Sequence, residues 1–128
     1  MRFPFPREEA ERAREIMQGV KITRLHYREV LDQVPADSFT FLDPPYHTDE
    51  NLYDCELTYE DHDELRERLH SFQRRFFMTI GLTELSHRLY VRERSGFDIR
   101  EHHYETMNFL KGGSLPSVEL YVRNYLNF

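Results

Sequence analysis

The chain has 128 residues, 17 Lys and Arg against 23 Asp and Glu, and a formal charge of −6. That length fits one domain able to bury roughly two-thirds of the surface its unfolded chain would expose. The lone Cys55 excludes an intrachain disulfide scaffold, no apolar run reaches the ~20 residues of a membrane span, and the acidic balance argues against attachment to nucleic acid by bulk charge alone.

In chain order, residues 7–18 read as a helix, with Glu8 and Glu9 in the first turn and Ala10, Ala13, Ile16 and Met17 on one face. Gly19 stops it, and Val20 and Ile22 alternate as a short strand over residues 20–23. Tyr27, Val30, Leu31 and Val34 form a second helical stripe that ends before Pro35. Residues 38–42 are rich in β-formers and break at Asp43-Pro44-Pro45-Tyr46. After a polar loop, Thr58 is placed to cap a helix with Asp61 three residues on, and Leu65, Leu69, Phe72 and Phe76 follow as its apolar stripe. Residues 76–80 read as a buried strand closed by Gly81. Thr83 opens another helix, carrying Leu85 and Leu89 and ending at Ser95-Gly96. Residues 97–104 and 118–125 are two final strands, which with no helical pattern between them pair antiparallel. Alternating helices and strands imply a doubly wound α/β fold, with a mostly parallel sheet and helices on both faces.

Ligands of open α/β sheets bind beyond the carboxyl ends of the strands, where Asp43-Pro44-Pro45-Tyr46 falls. Two successive prolines fix the backbone and remove two N–H donors, leaving a rigid turn of free carbonyls. Asp43 adds an acceptor and Tyr46 a flat aromatic face, a combination suited to a planar ligand bearing an amino group. The competing reading is an ordinary surface turn.

On these residues the chain resembles the DNA adenine-N6 methyltransferases of the Dam type, whose motif is Asp-Pro-Pro-Tyr at the end of the fourth strand. Leu57-Thr58-Tyr59-Glu60-Asp61-His62 with Leu65 is similar to the segment after that motif in phage and prokaryotic members, and residues 118–125 resemble the closing strand. The resemblance implies a Rossmann-like sheet with strands in the order third, second, first, fourth, fifth, seventh, sixth. It also implies a cytoplasmic enzyme that moves a methyl group from S-adenosyl-L-methionine to an adenine flipped out of DNA. Asp43 and the Pro44 carbonyl would accept hydrogen bonds from N6, Pro45 would stiffen the turn, and Tyr46 would stack on the base. Asp43 would also lie near the cofactor, and His26-Tyr27 falls where the family has an acceptor and an aromatic beside the cofactor's adenine. There Tyr27 keeps the aromatic and His26 replaces the acceptor; the alternative is a core Tyr27 and a loop His26.

The family's glycine-bearing cofactor loop does not occur in this sequence, nor does the acidic residue expected after the second strand. The expectation is therefore the C-terminal catalytic half of such an enzyme, a partial sheet over residues 1–128 whose cofactor-loop and target-recognition regions come from a second polypeptide. The alternative is a non-catalytic remnant or a regulatory subunit that pairs with a methyltransferase. Lys111-Gly112-Gly113-Ser114, between the last strands, is the candidate DNA contact, with a plain flexible hairpin loop as the competing reading. No metal is expected: His62 and His70 lie eight apart with Arg66 between them, and His102 and His103 point to opposite faces of a strand.

Overall fold

A computed structural model of the chain describes residues 6–45, 57–93, 96–107 and 113–126. The chain divides into two compact units, Met1–Gln33 and Val34–Phe128.

The first unit holds two helices. In α1 (Arg7–Ile16), Pro6 precedes the first turn, Glu8 and Glu9 meet the positive end of the helix dipole, and Arg14 sits in the last turn. Arg7 and Glu11 pair across one turn at 2.8 Å. The chain leaves α1 through Gly19, whose φ of +80° lies in the left-handed region that glycine enters without strain. The expected strand at residues 20–23 does not form. Val20 and Ile22 are 52% and 77% exposed, and alternation makes a strand only where a neighbour accepts its backbone hydrogen bonds. In α2 (Tyr27–Gln33), the His26 amide donates to Glu29 Oε2 at 3.1 Å, and Leu31 is the buried residue.

The second unit is a four-stranded sheet with helices between its strands. Its elements are β1 (Phe39–Leu42), α3 (Tyr59–Ser71), β2 (Arg75–Gly81), α4 (Glu84–Ser86) leading into π-helical turns (His87–Arg92), β3 (Asp98–Met107) and β4 (Ser114–Arg123). The sheet order is β1-β2-β4-β3. β1 pairs parallel with β2, whereas β4 lies antiparallel to both β2 and β3. The expected mostly parallel sheet is thus corrected to one with a single parallel pair and two antiparallel ones. The physical reason is the hairpin connection: β4 turns straight back beside β3 and enters the sheet between it and β2.

The core lies on one face. Phe76, Met78 and Ile80 alternate inward from β2, and Leu120 and Val122 do so from β4. Leu65 and Leu69 of α3, Phe72 just after it, and Leu89 and Tyr90 of the π-helical turns complete the buried apolar set of this unit among the described residues. The helix starts as its capping signal predicts: Thr58 Oγ1 accepts from the Asp61 amide at 3.1 Å, and the Thr58 amide donates to Asp61 Oδ2 at 3.0 Å. Arg66 ties α3 to the end of the π-helical turns through Glu93 at 2.9 Å. At the amino end of β2, Asn124 acts as a backbone clamp. Its Oδ1 accepts from the Phe76 amide at 3.0 Å and its Nδ2 donates to the Arg74 carbonyl at 2.8 Å.

β1 bonds to β2 along one edge only among the described residues. Phe39 and Phe41 on its outward face remain 56% and 59% exposed. Phe41 stacks on Phe77 at 6.1 Å, and Phe39 meets the edge of Tyr125 at 5.9 Å.

Candidate active site at the carboxyl end of β1

Parallel pairing brings the carboxyl ends of β1 and β2 to the same side of the sheet. The register sets Leu42 opposite Met78, so the next residues, Asp43 and Thr79, are neighbours. Thr79 Oγ1 donates to Asp43 Oδ1 at 3.1 Å. Asp43 is exposed, and its Oδ2 makes no hydrogen bond to the described residues. Pro44 and Pro45 follow, half-buried. The result is a carboxylate oriented through one oxygen and open through the other, followed by carbonyls without competing N–H donors at the prolines.

Just beyond β2, Thr83 caps α4 in a reciprocal pair with Ser86, and Ser86 Oγ donates to the Gly81 carbonyl at 2.8 Å. This anchors the turn next to the Asp43 end. On the other side of Thr79, the register places Tyr121 of β4. Asp43, Thr79 and Tyr121 thus form one row across the outward face of the sheet.

The remaining predicted site residues are placed as follows. Tyr46, Lys111 and Gly112 lie outside the described residues. Gly113 is exposed with φ +106°, and Ser114 begins β4 in register with Met107. His26 and Tyr27 belong to the first unit. Their rings lie 4.5 Å apart, tilted by 39°, and the Arg28 guanidinium sits 5.1 Å from the Tyr27 ring centroid. His26 Nδ1 accepts from the Arg28 amide at 3.4 Å, so both rings are engaged locally at the start of α2.

Sequence reading did not single out Thr79 or Asn124. The signal for Thr79 was present, since a polar residue between Met78 and Ile80 must face away from their core. Among the described residues, no three His, Cys, Asp or Glu side chains gather as a metal site would require. A cavity of about 370 Å³ lined by Ser38, Phe39, Arg74 and Arg75 sits at the amino ends of β1 and β2, the end opposite Asp43.

A family model described as D12 class N6 adenine-specific DNA methyltransferase matches residues 3–107. The chain belongs to that family. It is thereby a chain of an enzyme family that methylates adenine in DNA, as the Dam-type resemblance implied. The match spans Asp43-Pro44-Pro45-Tyr46 and runs to the end of β3. No curated protein matches the chain. No helix among the described residues is long and apolar enough to cross a membrane.

Proposed function

We propose that this D12-class chain is the target-base half of an S-adenosylmethionine-dependent DNA adenine-N6 methyltransferase, completed by a second polypeptide. The observation that carries the reading is Asp43, held by Thr79 at the carboxyl end of β1 with one oxygen open. The order β1-β2-β4-β3 supports it, because it repeats the fourth, fifth, seventh and sixth strands of a Rossmann-like methyltransferase sheet. In that arrangement β1 is bordered by a further strand, which the open edge beside Phe39 and Phe41 is free to accept.

S-adenosylmethionine supplies the methyl group when bound. The described residues do not by themselves fit it, since the His26–Tyr27 rings are engaged locally and the sequence does not carry the glycine-bearing cofactor loop that the resemblance calls for. Cofactor binding is therefore assigned to the completed assembly. What this chain contributes is the grip on the base. With the adenine flipped out of the stack, Asp43 accepts one N6 hydrogen, the Pro44 carbonyl accepts the other, and Tyr46 stacks on the ring. Both hydrogens then lie in the acceptor plane and the nitrogen lone pair is directed away from it, along the line of methyl transfer. Asp43 acts as a polarising acceptor and need not be a classical general base; the proton that the methylated nitrogen sheds leaves to solvent.

Co-expression with the neighbouring reading frame, followed by methyl transfer to DNA, tests the reading. The assembled protein is expected to label adenine N6, and Asp43→Ala to lower the rate by about two to three orders of magnitude. Equal transfer by wild type and variant overturns the role of Asp43. A well-folded monomer that binds cofactor and methylates alone overturns the need for a partner. The missing glycine-bearing loop favours a second reading, a non-catalytic subunit, in which the assembly methylates equally well without Asp43.

A further inference from the structure

The β3–β4 hairpin outruns the rest of the sheet. Pairing of β2 with β4 ends at Gly81 opposite Glu119, with a last backbone bond from the Leu82 amide to the Val118 carbonyl at 2.9 Å. β4 nonetheless begins at Ser114 and β3 runs on to Met107. Four residues of β4, Ser114 to Ser117, thus extend roughly 13 Å past β2 at about 3.3 Å each. Because β3 runs in the same direction as β1 and β2, the overhang projects from the carboxyl end of the sheet, the end that carries Asp43.

The two faces of this arm differ in charge. One carries Glu101, His103 and Glu105, all exposed, with His103 Nε2 3.3 Å from Glu101 Oε2. The other carries Arg100, His102, Tyr104 and Thr106. On this second face the His102 ring is stacked against Tyr121 at 5.0 Å and 16°, and against Tyr104 at 5.8 Å and 14°. The same face also carries Glu119, opposite His102 within the ring series, and Asp98, paired with Arg123, so its charges balance where those of the first face are net negative. A polyanion is repelled from the first face and meets aromatic rings and a guanidinium on the second.

We propose that the Tyr104 face of this overhanging arm is a DNA-docking surface. It stacks an exposed base of the nucleotides beside the target on the Tyr104–His102–Tyr121 ring series, with Arg100 at its root meeting a phosphate. The proposal rests on the methyltransferase reading for its ligand, but its geometry is independent of Asp43. Ring stacking is tolerant of base identity, so the arm contributes affinity and orientation rather than sequence choice.

Fluorescence anisotropy of the full chain with a short labelled mixed-sequence duplex that carries a single-stranded overhang tests it. Tyr104→Ala with His102→Ala is expected to weaken binding at least fivefold, and Tyr104→Phe to restore it to near wild type. Glu101→Gln with Glu105→Gln, on the opposite face, leaves affinity unchanged or raises it. Wild-type affinity in the Tyr104→Ala/His102→Ala variant overturns the proposal, as does failure of the wild-type chain to bind DNA. A variant that alters association with another protein but not with DNA overturns it in favour of a protein contact. If the arm variants lose DNA while Asp43→Ala leaves methylation unchanged, the arm stands and the role of Asp43 falls. The converse pattern separates the two the other way.

Discussion

The Thr79 hydroxyl donates to Asp43 Oδ1 at 3.1 Å and so ties the proposed base-binding carboxylate of one strand to the outward face of the next. A side chain on β2 thereby sets which oxygen of Asp43 remains open. Thr79→Val keeps the shape and removes the donor. In the assembled enzyme we expect about a tenfold fall in kcat, equivalent to ~1.4 kcal/mol, with DNA affinity unchanged. Thr79→Ser should recover most of the rate. A Thr79→Val enzyme with wild-type kcat would show that Asp43 needs no positioning by its neighbour.

Asp98 and Arg123 form an ion pair across β3 and β4, and the Arg123 side chain is only 9% exposed. The Arg123 guanidinium also sits 5.2 Å from the Tyr125 ring. Asp98→Ala removes this carboxylate from beside a cation in a poorly hydrated place. Partial exposure of Asp98 tempers the cost, so we expect a loss of about 2–3 kcal/mol, below the ~3–5 of a fully buried pair. Adding Arg123→Met should return much of it. Urea denaturation of the single and double variants reads this directly, and equal stability of Asp98→Ala and wild type would contradict it.

Leu69 is 1% exposed, at the meeting of α3 with the Phe76 face of the sheet. Leu69→Ala removes buried methyl groups and opens a cavity, with an expected loss of about 2–5 kcal/mol. Leu69→Met, which nearly conserves volume, should cost less than ~1.5 kcal/mol. The same denaturation measurement separates them.

Burial pushes the Tyr90 phenol well above its ordinary pKa of 10.0, against a smaller opposing pull from the Arg66 charge. The folded chain therefore holds this proton after the unfolded chain has released it. The contribution to stability is fully present below pH ~10 and is lost as pH rises toward the folded value, by up to ~1.4 kcal/mol per pH unit. Tyr90→Phe should flatten that alkaline decline. An identical decline in the variant would place its origin elsewhere.

What could be read in the sequence depended on how local each signal was. α3 was the most legible, because Thr58 and Asp61 cap it within one turn and Leu65 and Leu69 recur at helical spacing. β1 and β2 were visible as compact runs of β-formers, and the hairpin of β3 and β4 followed from the absence of a helix between them. The strand expected at residues 20–23 failed for a non-local reason: its pattern was right, but no strand among the described residues pairs with it. The helix after Thr83 was right in its start and its apolar positions. Its π-helical turns left no mark in spacing, although burial of the adjacent Leu89 and Tyr90 fits a widened turn. The Asp43 end was legible as a motif, whereas its tie to Thr79 depends on the register between two strands far apart in sequence.

The edge of β1 has a consequence for the life of the chain in a crowded solution. Phe39-Thr40-Phe41-Leu42 carries no charge or proline to discourage an intruding strand, and its two phenylalanines are already half in water. Such an edge accepts any extended segment that reaches it, including the same four residues of another copy. Its solubility should therefore depend on supply, clearing at low concentration and clouding as the chain accumulates.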